Sequence, residues 1–386
     1  MRVRIFKNLS FKELGPNFTE VTEKPDLIMV RSTELHDVSL IPDTTWGIFR
    51  AGSGTDNIPV DEMTKKGVPV FNTPGSNANS VKELALGVMI MASRNCFSAF
   101  DFVNQSPADT DFEKAKIKFV GTEIAGKNIL ILGLGNIGYS LAEACHNLGM
   151  NVFGYDPFVK RDARWLTQLD LLSDTTVSIC DFVSIHIPKN ERTVNFVNEE
   201  FILRLKRGVI LLNFARKELV DTYWLGIALE AGQVRYYASD FVQESLRRYI
   251  PSKALMLTHL GASTEEAEKR SVAMARNQAE NYWYFGEIIN SVNFPRLTPD
   301  HTFEYKRLFI VNRNVPGTLA KITGLISRDG LNISAVINNS KGEISCFAID
   351  IDKPPDENEA DLARLINDLG KLEDIIRFRV IYPNTA

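Results

Sequence analysis

The stretch NILILGLGNIG carries three glycines, Gly133, Gly135 and Gly138, spaced as GxGxxG at the end of an apolar run. The first glycine permits a tight turn, the second lets the backbone approach a pyrophosphate, and the third lets the following helix pack on the strand. The first helical amides, with Asn136 and Ile137 in that turn, would face the phosphates. The pattern predicts a dinucleotide site.

The next apolar run, NVFGYD, ends in Asp156. This residue lies at the distance of roughly 20 residues from the glycines that ribose recognition requires. A carboxylate there accepts hydrogen bonds from the ribose 2′-hydroxyl and repels a 2′-phosphate. We therefore expect the cofactor to be NAD rather than NADP, although a turn with an incidental acidic residue is the alternative.

Three later apolar runs end in polar side chains: LLNFAR in Arg216, YYASDF in Asp240 and LMLTHL in His259. The carboxyl ends of parallel strands line the ligand crevice of an open sheet. These residues suit hydride transfer on a 2-oxo acid, because Arg216 could bind carboxylate and carbonyl oxygens while His259 moves the proton. A single strand-end histidine is more often structural, but the joint placement favours catalysis.

The elements that would position these residues are short apolar runs alternating with helical patterns, which is typical of parallel α/β structure. The sequence predicts two Rossmann-like parallel-sheet domains. The helical stretch SVKELALGVMIMASRN and the polar segment after it indicate a boundary near residue 94. We expect a substrate-binding domain at 1–93 and 268–300, and an NAD-binding domain at 94–267.

The pattern changes after a proline-containing linker, NFPRLTPDH. Residues 305–386 show two helical patterns among four strand patterns, in the order βαββαβ. This order predicts a third, smaller domain with its own sheet and helices.

Composition excludes several classes of protein. The net charge of −4 gives no basic field for nucleic acid. No apolar run approaches the roughly 18 residues of a membrane span, and the N-terminal MRVRIFKNLS lacks a secretory pattern. Four dispersed cysteines without metal-ligand spacing indicate reduced thiols and no metal site. A cytoplasmic location is expected.

The chain resembles the D-isomer specific 2-hydroxyacid dehydrogenases over nearly its whole length. The segments that show this resemblance are RAGSGTDNIPVDEMTKKGVPVFNTPGSNANSVKELA, LGLGNIG with YDP, CDFVSIHIP, LKRGVILLNFARKELVD and HLGASTEEAE. The resemblance implies a catalytic arginine, glutamate and histidine, of which Arg216 and His259 match. It also places Pro188, Thr193 and Ala215 at the cofactor.

The glutamate of this family does not match directly. The family pattern DVFxxEP places it at Ser245, one residue after Glu244. We expect the loop to shift so that Glu244 reaches His259; the alternative is that the partner is lost. By resemblance, Asp240 lies near the nicotinamide carboxamide. Lys217 stands where the family has glycine, which also affects this loop.

The resemblance assigns Arg31 and Arg50 to the phosphate of 3-phosphoglycerate, with Ser53, Gly54 and Asn79 nearby. Each arginine follows an apolar run, in MVRST and IFRAGSGTDN, and small residues after the second could present amides to an anion. Solvated surface arginines are the alternative, but two of them at strand ends favour a phosphorylated substrate.

The C-terminal segment, with NRNVPGTLAKI and DGLNIS, resembles the ACT domain, a module that binds amino acids at paired interfaces. Asn314 and Asn332 match effector-binding positions, so the resemblance implies L-serine as effector. Asn312 stands where a histidine is often found, which weighs against serine inhibition. A purely oligomerising role is the alternative.

Together these observations predict an NAD-dependent enzyme that oxidises a phosphorylated 2-hydroxy acid at the start of serine synthesis, as a homodimer or homotetramer. Another 2-hydroxyacid dehydrogenase, acting on hydroxypyruvate, glyoxylate or 2-oxoglutarate, is the first alternative. A non-enzymatic NAD-sensing protein of the corepressor type is the second, and the ACT-like segment argues against it.

Overall fold

The computed structural model describes residues 1–6, 14–352 and 359–383. The chain divides into two compact units. The first comprises Met1–Ser76 and Glu268–Ala386, and the second comprises Asn77–Ala267. The first unit is therefore assembled from two separate parts of the chain.

The first unit begins with a five-stranded sheet in which all neighbours are parallel. Its strands, in chain order, are β1 (Arg2–Ile5), β2 (Thr19–Glu20), β3 (Leu27–Val30), β4 (Gly47–Arg50) and β5 (Val70–Phe71), with helix α1 (Val60–Lys65) before the last. The spatial order is β2-β1-β3-β4-β5. All four residues of β3 are buried, as expected for a parallel strand covered on both faces.

The second unit contains a seven-stranded parallel sheet in the order β12-β11-β10-β9-β6-β7-β8. The strands are β6 (Asn128–Leu132), β7 (Asn151–Tyr155), β8 (Leu166–Leu169), β9 (Phe182–Ile185), β10 (Val209–Asn213), β11 (Val234–Ser239) and β12 (Ala254–Met256). The helices are α2 (Ala78–Ser93), α3 (Cys96–Gln105), α4 (Phe112–Ala115), α5 (Asn136–Asn147), α6 (Asp174–Val177), α7 (Glu199–Arg204) and α8 (Thr222–Ala231). The strand order reverses at β6, the position at which such sheets bind ligands.

The boundary predicted near residue 94 differs from this division, which falls between Ser76 and Asn77. The reason is the packing of α2. Its buried residues Ala85 and Met89 share one apolar cluster with Leu141 of α5. The helix is therefore part of the second unit rather than the end of the first.

The remaining elements belong to the C-terminal part of the chain. They are α9 (Glu265–Phe285), β13 (Lys306–Arg313), α10 (Thr318–Arg328), β14 (Ile333–Lys341), β15 (Ile344–Ile351), α11 (Glu359–Leu369) and β16 (Ile375–Ile381). From β13 onward the order is βαββαβ, and the four strands form an antiparallel sheet in the order β14-β15-β13-β16. The predicted fold class, two parallel-sheet domains and a smaller C-terminal domain, is confirmed.

The two central strands of the C-terminal sheet, β13 and β15, are buried on both faces. Leu308 and Ile310 of β13 pack against α10 and α11, whereas the alternate residues Phe309 and Val311 join the apolar cluster of the N-terminal sheet and α9. Because neighbouring side chains of a strand point to opposite faces, β13 contributes to two cores. This explains why the sheet groups with the first unit instead of standing alone.

Within the described residues, no helix combines the length and the apolar character needed to cross a membrane. In the same residues, no group of three or more histidine, cysteine, aspartate or glutamate side chains is arranged to hold a metal ion.

The packing of α10 gives a stability prediction. Ile322 is fully buried, whereas Leu319 on the same helix is 44% exposed. Ile322→Ala should lower the free energy of unfolding by about 2–5 kcal/mol, because it leaves a cavity. Leu319→Ala should change it by less than about 0.5 kcal/mol. Urea denaturation followed by circular dichroism compares the two, and equal effects would contradict the described packing.

Candidate active site

The glycine loop joins β6 to α5 in the second unit. Gly133 adopts φ +95°, a conformation that favours glycine, and a Cβ there would lie 2.8 Å from the carbonyl of His186. A Cβ on Gly138 would lie 1.9 Å from the Gly133 carbonyl oxygen. These two glycines are required by the turn and by the close approach of the helix.

Gly135 is different, because a Cβ at this position would meet no protein atom within 4 Å. Helix α5 begins at the next residue, Asn136, with Ile137 beside it. The open space therefore lies at the amino-terminal end of a helix, where backbone amides and the helix dipole favour an anion. The geometry fits a pyrophosphate group.

Asp156, directly after β7, fixes this loop. Its Oδ2 accepts a hydrogen bond from the Leu134 amide at 2.8 Å, and its Oδ1 accepts from the amides of Phe158 and Val159 at 2.9 and 3.0 Å. Each carboxylate oxygen has two lone pairs, so Oδ2 can accept a further bond from a ribose hydroxyl. Arg161 donates from Nε to the Leu134 carbonyl at 3.1 Å.

A histidine that the sequence interpretation passed over, His186, follows β9 next to the glycine loop. Its Nε2 lies 2.8 Å from the Ser184 Oγ. Burial lowers the pKa of His186 to about 4, so the imidazole is neutral at neutral pH. Its Nδ1 has no hydrogen-bond partner among the described residues. Its place at a strand end, in VSIHIP, was the signal available from the sequence.

The loop after His186 carries two of the predicted cofactor residues. Thr193 donates from Oγ1 to the Pro188 carbonyl at 2.7 Å and accepts from the Asn190 amide at 2.8 Å. At the end of β10, the Ala215 amide donates to the Asn213 side chain at 3.2 Å. Both loops are thus held by local hydrogen bonds.

Arg216, Asp240 and His259 follow β10, β11 and β12, which are adjacent in the sheet. The strand ladder continues beyond the strands: the Asp240 amide donates to the Asn213 carbonyl at 3.1 Å, and the His259 amide donates to the Asp240 carbonyl at 2.8 Å. The structure therefore brings these three residues to one edge of the sheet. Arg216 donates from Nη1 to the Ala215 carbonyl at 2.8 Å.

Asp240 is 2% exposed. Its Oδ1 accepts from the Leu260 amide at 2.7 Å, and its Oδ2 accepts from the Gly261 amide at 2.8 Å. Burial raises the pKa of Asp240 above its ordinary value, while those two amides and the charge of His259 act in the opposite direction. His259 itself adopts φ +62°, a left-handed conformation that the loop enforces. Its ring lies 4.7 Å from that of Phe241.

Glu244 begins a short 3₁₀ helix, Glu244–Tyr249. Its side chain is 80% exposed and pairs with Arg247 at 3.1 Å. The buried anchor of the loop is Gln243, which accepts from the Tyr237 hydroxyl at 2.9 Å and donates to the Lys217 carbonyl at 3.2 Å. The described contacts therefore join Glu244 to Arg247, and its role beside His259 stays a prediction.

The predicted phosphate residues lie in the first unit. Arg50, at the end of β4, donates from Nε to the Arg31 carbonyl at 3.1 Å, and Arg31 pairs through Nη1 with Glu268 at 2.5 Å. The Ser53 Oγ lies 3.4 Å from the Thr73 carbonyl, at a longer distance than most hydroxyl hydrogen bonds. The two arginines thus lie together, and Glu268 is a neighbour that the sequence interpretation missed.

The other two predicted substrate residues differ in position. Gly54 follows Ser53 in the loop after β4. Asn79 lies on α2 in the second unit, where it donates to Glu83 at 2.7 Å.

In the C-terminal domain, the predicted effector residues already have protein partners. Asn314 donates to the Gly342 carbonyl at 3.0 Å, and Asn332 donates to Asp352 at 2.5 Å. Asn312 is buried, and its Oδ1 has no hydrogen-bond partner among the described residues.

Comparison with known families gives two matches. Residues 86–260 match the D-isomer specific 2-hydroxyacid dehydrogenase NAD-binding domain, and residues 308–377 match an AHAS small subunit-like ACT domain. The first range contains the glycine loop, Asp156 and the three strand ends. The second covers most of the βαββαβ segment.

Individual relatives agree with these matches. D-3-phosphoglycerate dehydrogenase of Haemophilus influenzae is 31% identical over 342 residues, covering 85% of this chain and 79% of that protein. Hydroxypyruvate reductase of Thermotoga maritima is 36% identical over 230 residues, covering 58% and 72%. The NAD+-bound 3-phosphoglycerate dehydrogenase structure from Entamoeba histolytica aligns with a TM-score of 0.63 at 24% identity, covering 77% and 99%, and shares the fold. The chain belongs to the D-isomer specific 2-hydroxyacid dehydrogenase family and carries a C-terminal ACT domain.

Proposed function

We propose that this chain is an NAD-dependent D-3-phosphoglycerate dehydrogenase, which oxidises 3-phospho-D-glycerate to 3-phosphooxypyruvate in the first step of L-serine biosynthesis. The observation that carries the proposal is the placement of Arg216, Asp240 and His259 at three adjacent strand ends of the sheet that bears the glycine loop. The similarity to the H. influenzae enzyme supports the choice of substrate.

The residues of the second unit fit NAD, because the space at Gly135 is open and Asp156 is held beside the loop. NAD bound there would supply the acceptor for the hydride of the substrate C2. His259 accepts the hydroxyl proton during oxidation and returns a proton during reduction. Arg216 binds the carboxylate and the developing carbonyl oxygen through its planar guanidinium.

Two carboxylates are candidates for the acidic partner of His259. Glu244 is the candidate from sequence, and it would have to leave Arg247 to reach the imidazole. Asp240 is the candidate from its position, since the His259 amide donates to the Asp240 carbonyl at 2.8 Å and the charge of His259 acts to lower the pKa of Asp240. An anion near an imidazole favours the protonated form, which reduction requires.

Arg31 and Arg50 are the proposed phosphate-binding pair. Two guanidinium groups at neighbouring strand ends can bind a phosphate with charge-assisted hydrogen bonds. Ser53 and Gly54 would add backbone or hydroxyl donors, and the role of Asn79 in substrate binding stays a prediction.

The effector, the oligomeric state and the cellular location are also proposals. L-serine would bind the ACT domain through Asn314 and Asn332, and the enzyme would form a homodimer or homotetramer. A cytoplasmic location is supported by the four free thiols, because disulfides are rare in that compartment.

Reduction of hydroxypyruvate is the second candidate, favoured by the identity to the T. maritima enzyme. Arg31 and Arg50 would separate the two activities, because hydroxypyruvate lacks the phosphate group that they are proposed to bind.

The open space at Gly135 predicts a specific effect on the cofactor. Gly135→Ala should raise the KM for NAD by roughly 10- to 200-fold, the range for one added carbon in a well-fitted pocket. Its unfolding midpoint should stay unchanged, because the Cβ meets no protein atom. Gly138→Ala is the matched control and should lower the unfolding midpoint. An unchanged KM in Gly135→Ala would contradict the pyrophosphate assignment.

The proposed role of Arg31 and Arg50 predicts that replacing either one weakens the binding of the phosphorylated substrate alone. Arg31→Ala or Arg50→Ala should raise the KM for 3-phosphoglycerate roughly 10- to 150-fold, since each such contact is worth about 1.5–3 kcal/mol. The KM for NAD should not change. Arg2→Ala, an exposed arginine of the same sheet, is the control. Equal losses with hydroxypyruvate in the reduction assay would refute the assignment.

The two candidate acids predict different pH profiles of reduction. Without its neighbouring anion, the imidazolium loses its proton at lower pH, so the alkaline fall in reduction activity should begin at a lower pH than in the wild type. We expect this shift in Asp240→Asn, and in Glu244→Gln only if the loop rearranges with substrate. His259→Gln should lower the rate of reduction roughly 10²- to 10⁴-fold. Profiles unshifted in both acid variants would show that the imidazole works without either carboxylate.

A further inference from the structure

Three arginines of the ACT sheet bind main-chain carbonyl groups of the substrate-binding part of the same unit. Arg377 of β16 donates from Nη1 to the Thr45 carbonyl at 2.6 Å and from Nη2 to the Asp43 carbonyl at 3.0 Å. Its guanidinium lies 4.1 Å from the centre of the Trp46 ring. Arg377 therefore holds the segment from which β4 starts.

The other two arginines bind the end of α9. Arg379 donates to the carbonyls of Trp283 and Tyr282 at 2.8 and 2.6 Å, and Arg307 donates to that of Phe285 at 2.9 Å. The last carbonyls of a helix lack partners within the helix and form its negative end. The ACT sheet thus supplies the cationic cap of α9, whose last turn contains no basic residue.

The opposite ends of β4 and α9 lie at Arg50 and Arg31, the proposed phosphate-binding pair. Strand β4 ends in Arg50. Near the start of α9, Glu268 pairs with Arg31 at 2.5 Å. With a rise of 1.5 Å per residue, α9 bridges about 26 Å between Glu268 and Phe285. The Tyr282 hydroxyl also donates to the Trp46 carbonyl at 2.8 Å, which joins the held end of α9 to the start of β4.

Arg307 and Arg379 are largely shielded from solvent. Arg307 is fully buried, with its Nε and Nη2 bound to Asp350 at 2.5 and 2.8 Å. Burial lowers the pKa of Arg379 to about 10, so the group still carries its charge at neutral pH. Apolar side chains could fill this space, but they would not fix the carbonyl positions as a planar guanidinium does.

We propose that Arg307, Arg377 and Arg379 are positioning residues that set Arg31 and Arg50 for the phosphate group of the substrate, acting through α9 and β4. This inference rests on the proposed function for the identity of the substrate. On this basis the ACT domain takes part in substrate recognition even without an effector.

The test uses the full-length enzyme with Arg377→Met, Arg379→Met and Arg377→Lys. The control is Arg364→Met, an exposed residue on α11 of the same domain. We expect the first two variants to raise the KM for 3-phosphoglycerate roughly 3- to 10-fold, a typical range for coupling between sites. The kcat and the KM for NAD should change less than twofold, Arg377→Lys should recover part of the loss, and the control should match the wild type.

Hydrogen exchange of the amides of residues 43–51 provides the second measurement, and it should accelerate in Arg377→Met. An unchanged KM, or parallel changes in the KM values for 3-phosphoglycerate and NAD, would overturn the inference. If the wild type does not prefer the phosphorylated acid, the proposed function fails instead. In that case unchanged exchange at 43–51 overturns the positioning role, and faster exchange supports it.

Discussion

The buried Asp240 organises the edge of the NAD-binding sheet. Its amide, its carbonyl and its carboxylate together connect the end of β10, the His259 amide and the loop Leu260–Gly261. A buried carboxylate must have its hydrogen bonds satisfied, and here they are satisfied by main-chain amides. A Cβ on Gly261 would lie 2.7 Å from the Asp240 Oδ2, so any larger residue there would have to displace this buried carboxylate. The left-handed backbone of His259 persists because the surrounding contacts determine it.

Much of the fold could be predicted from the sequence because local pattern and tertiary structure agree. The alternation of apolar runs and helices predicted both parallel sheets, and the βαββαβ order predicted the smaller C-terminal domain, which resemblance then identified as an ACT domain. The glycine loop was also predictable, since the tasks of Gly133 and Gly138 depend on backbone geometry that adjacent residues impose. Strand order then brings Arg216, Asp240 and His259 to one edge without any further information.

Features that depend on distant partners could not be predicted. The boundary near residue 94 was placed from composition, but the packing of α2 on α5 decides to which unit the helix belongs. Glu244 is separated from its family position by one residue, and its pairing with Arg247 depends on a 3₁₀ helix that the sequence does not signal. Arg377 and Arg379 alternate with apolar residues in β16, a pattern typical of a solvent-exposed face, whereas Arg379 is only partly exposed and binds the carbonyls of Tyr282 and Trp283.

The first unit contains strands from the beginning of the chain and elements that follow Ala267. On the ribosome, residues 1–76 emerge long before α9 and the ACT sheet that cover them. At about 5–20 residues per second, the delay is roughly 15–60 s. Meanwhile Leu27, Phe49 and their neighbours lack the apolar surface that buries them in the finished protein. The nascent chain therefore exposes the apolar side chains of an incomplete sheet, while the second unit, continuous in sequence, can already fold.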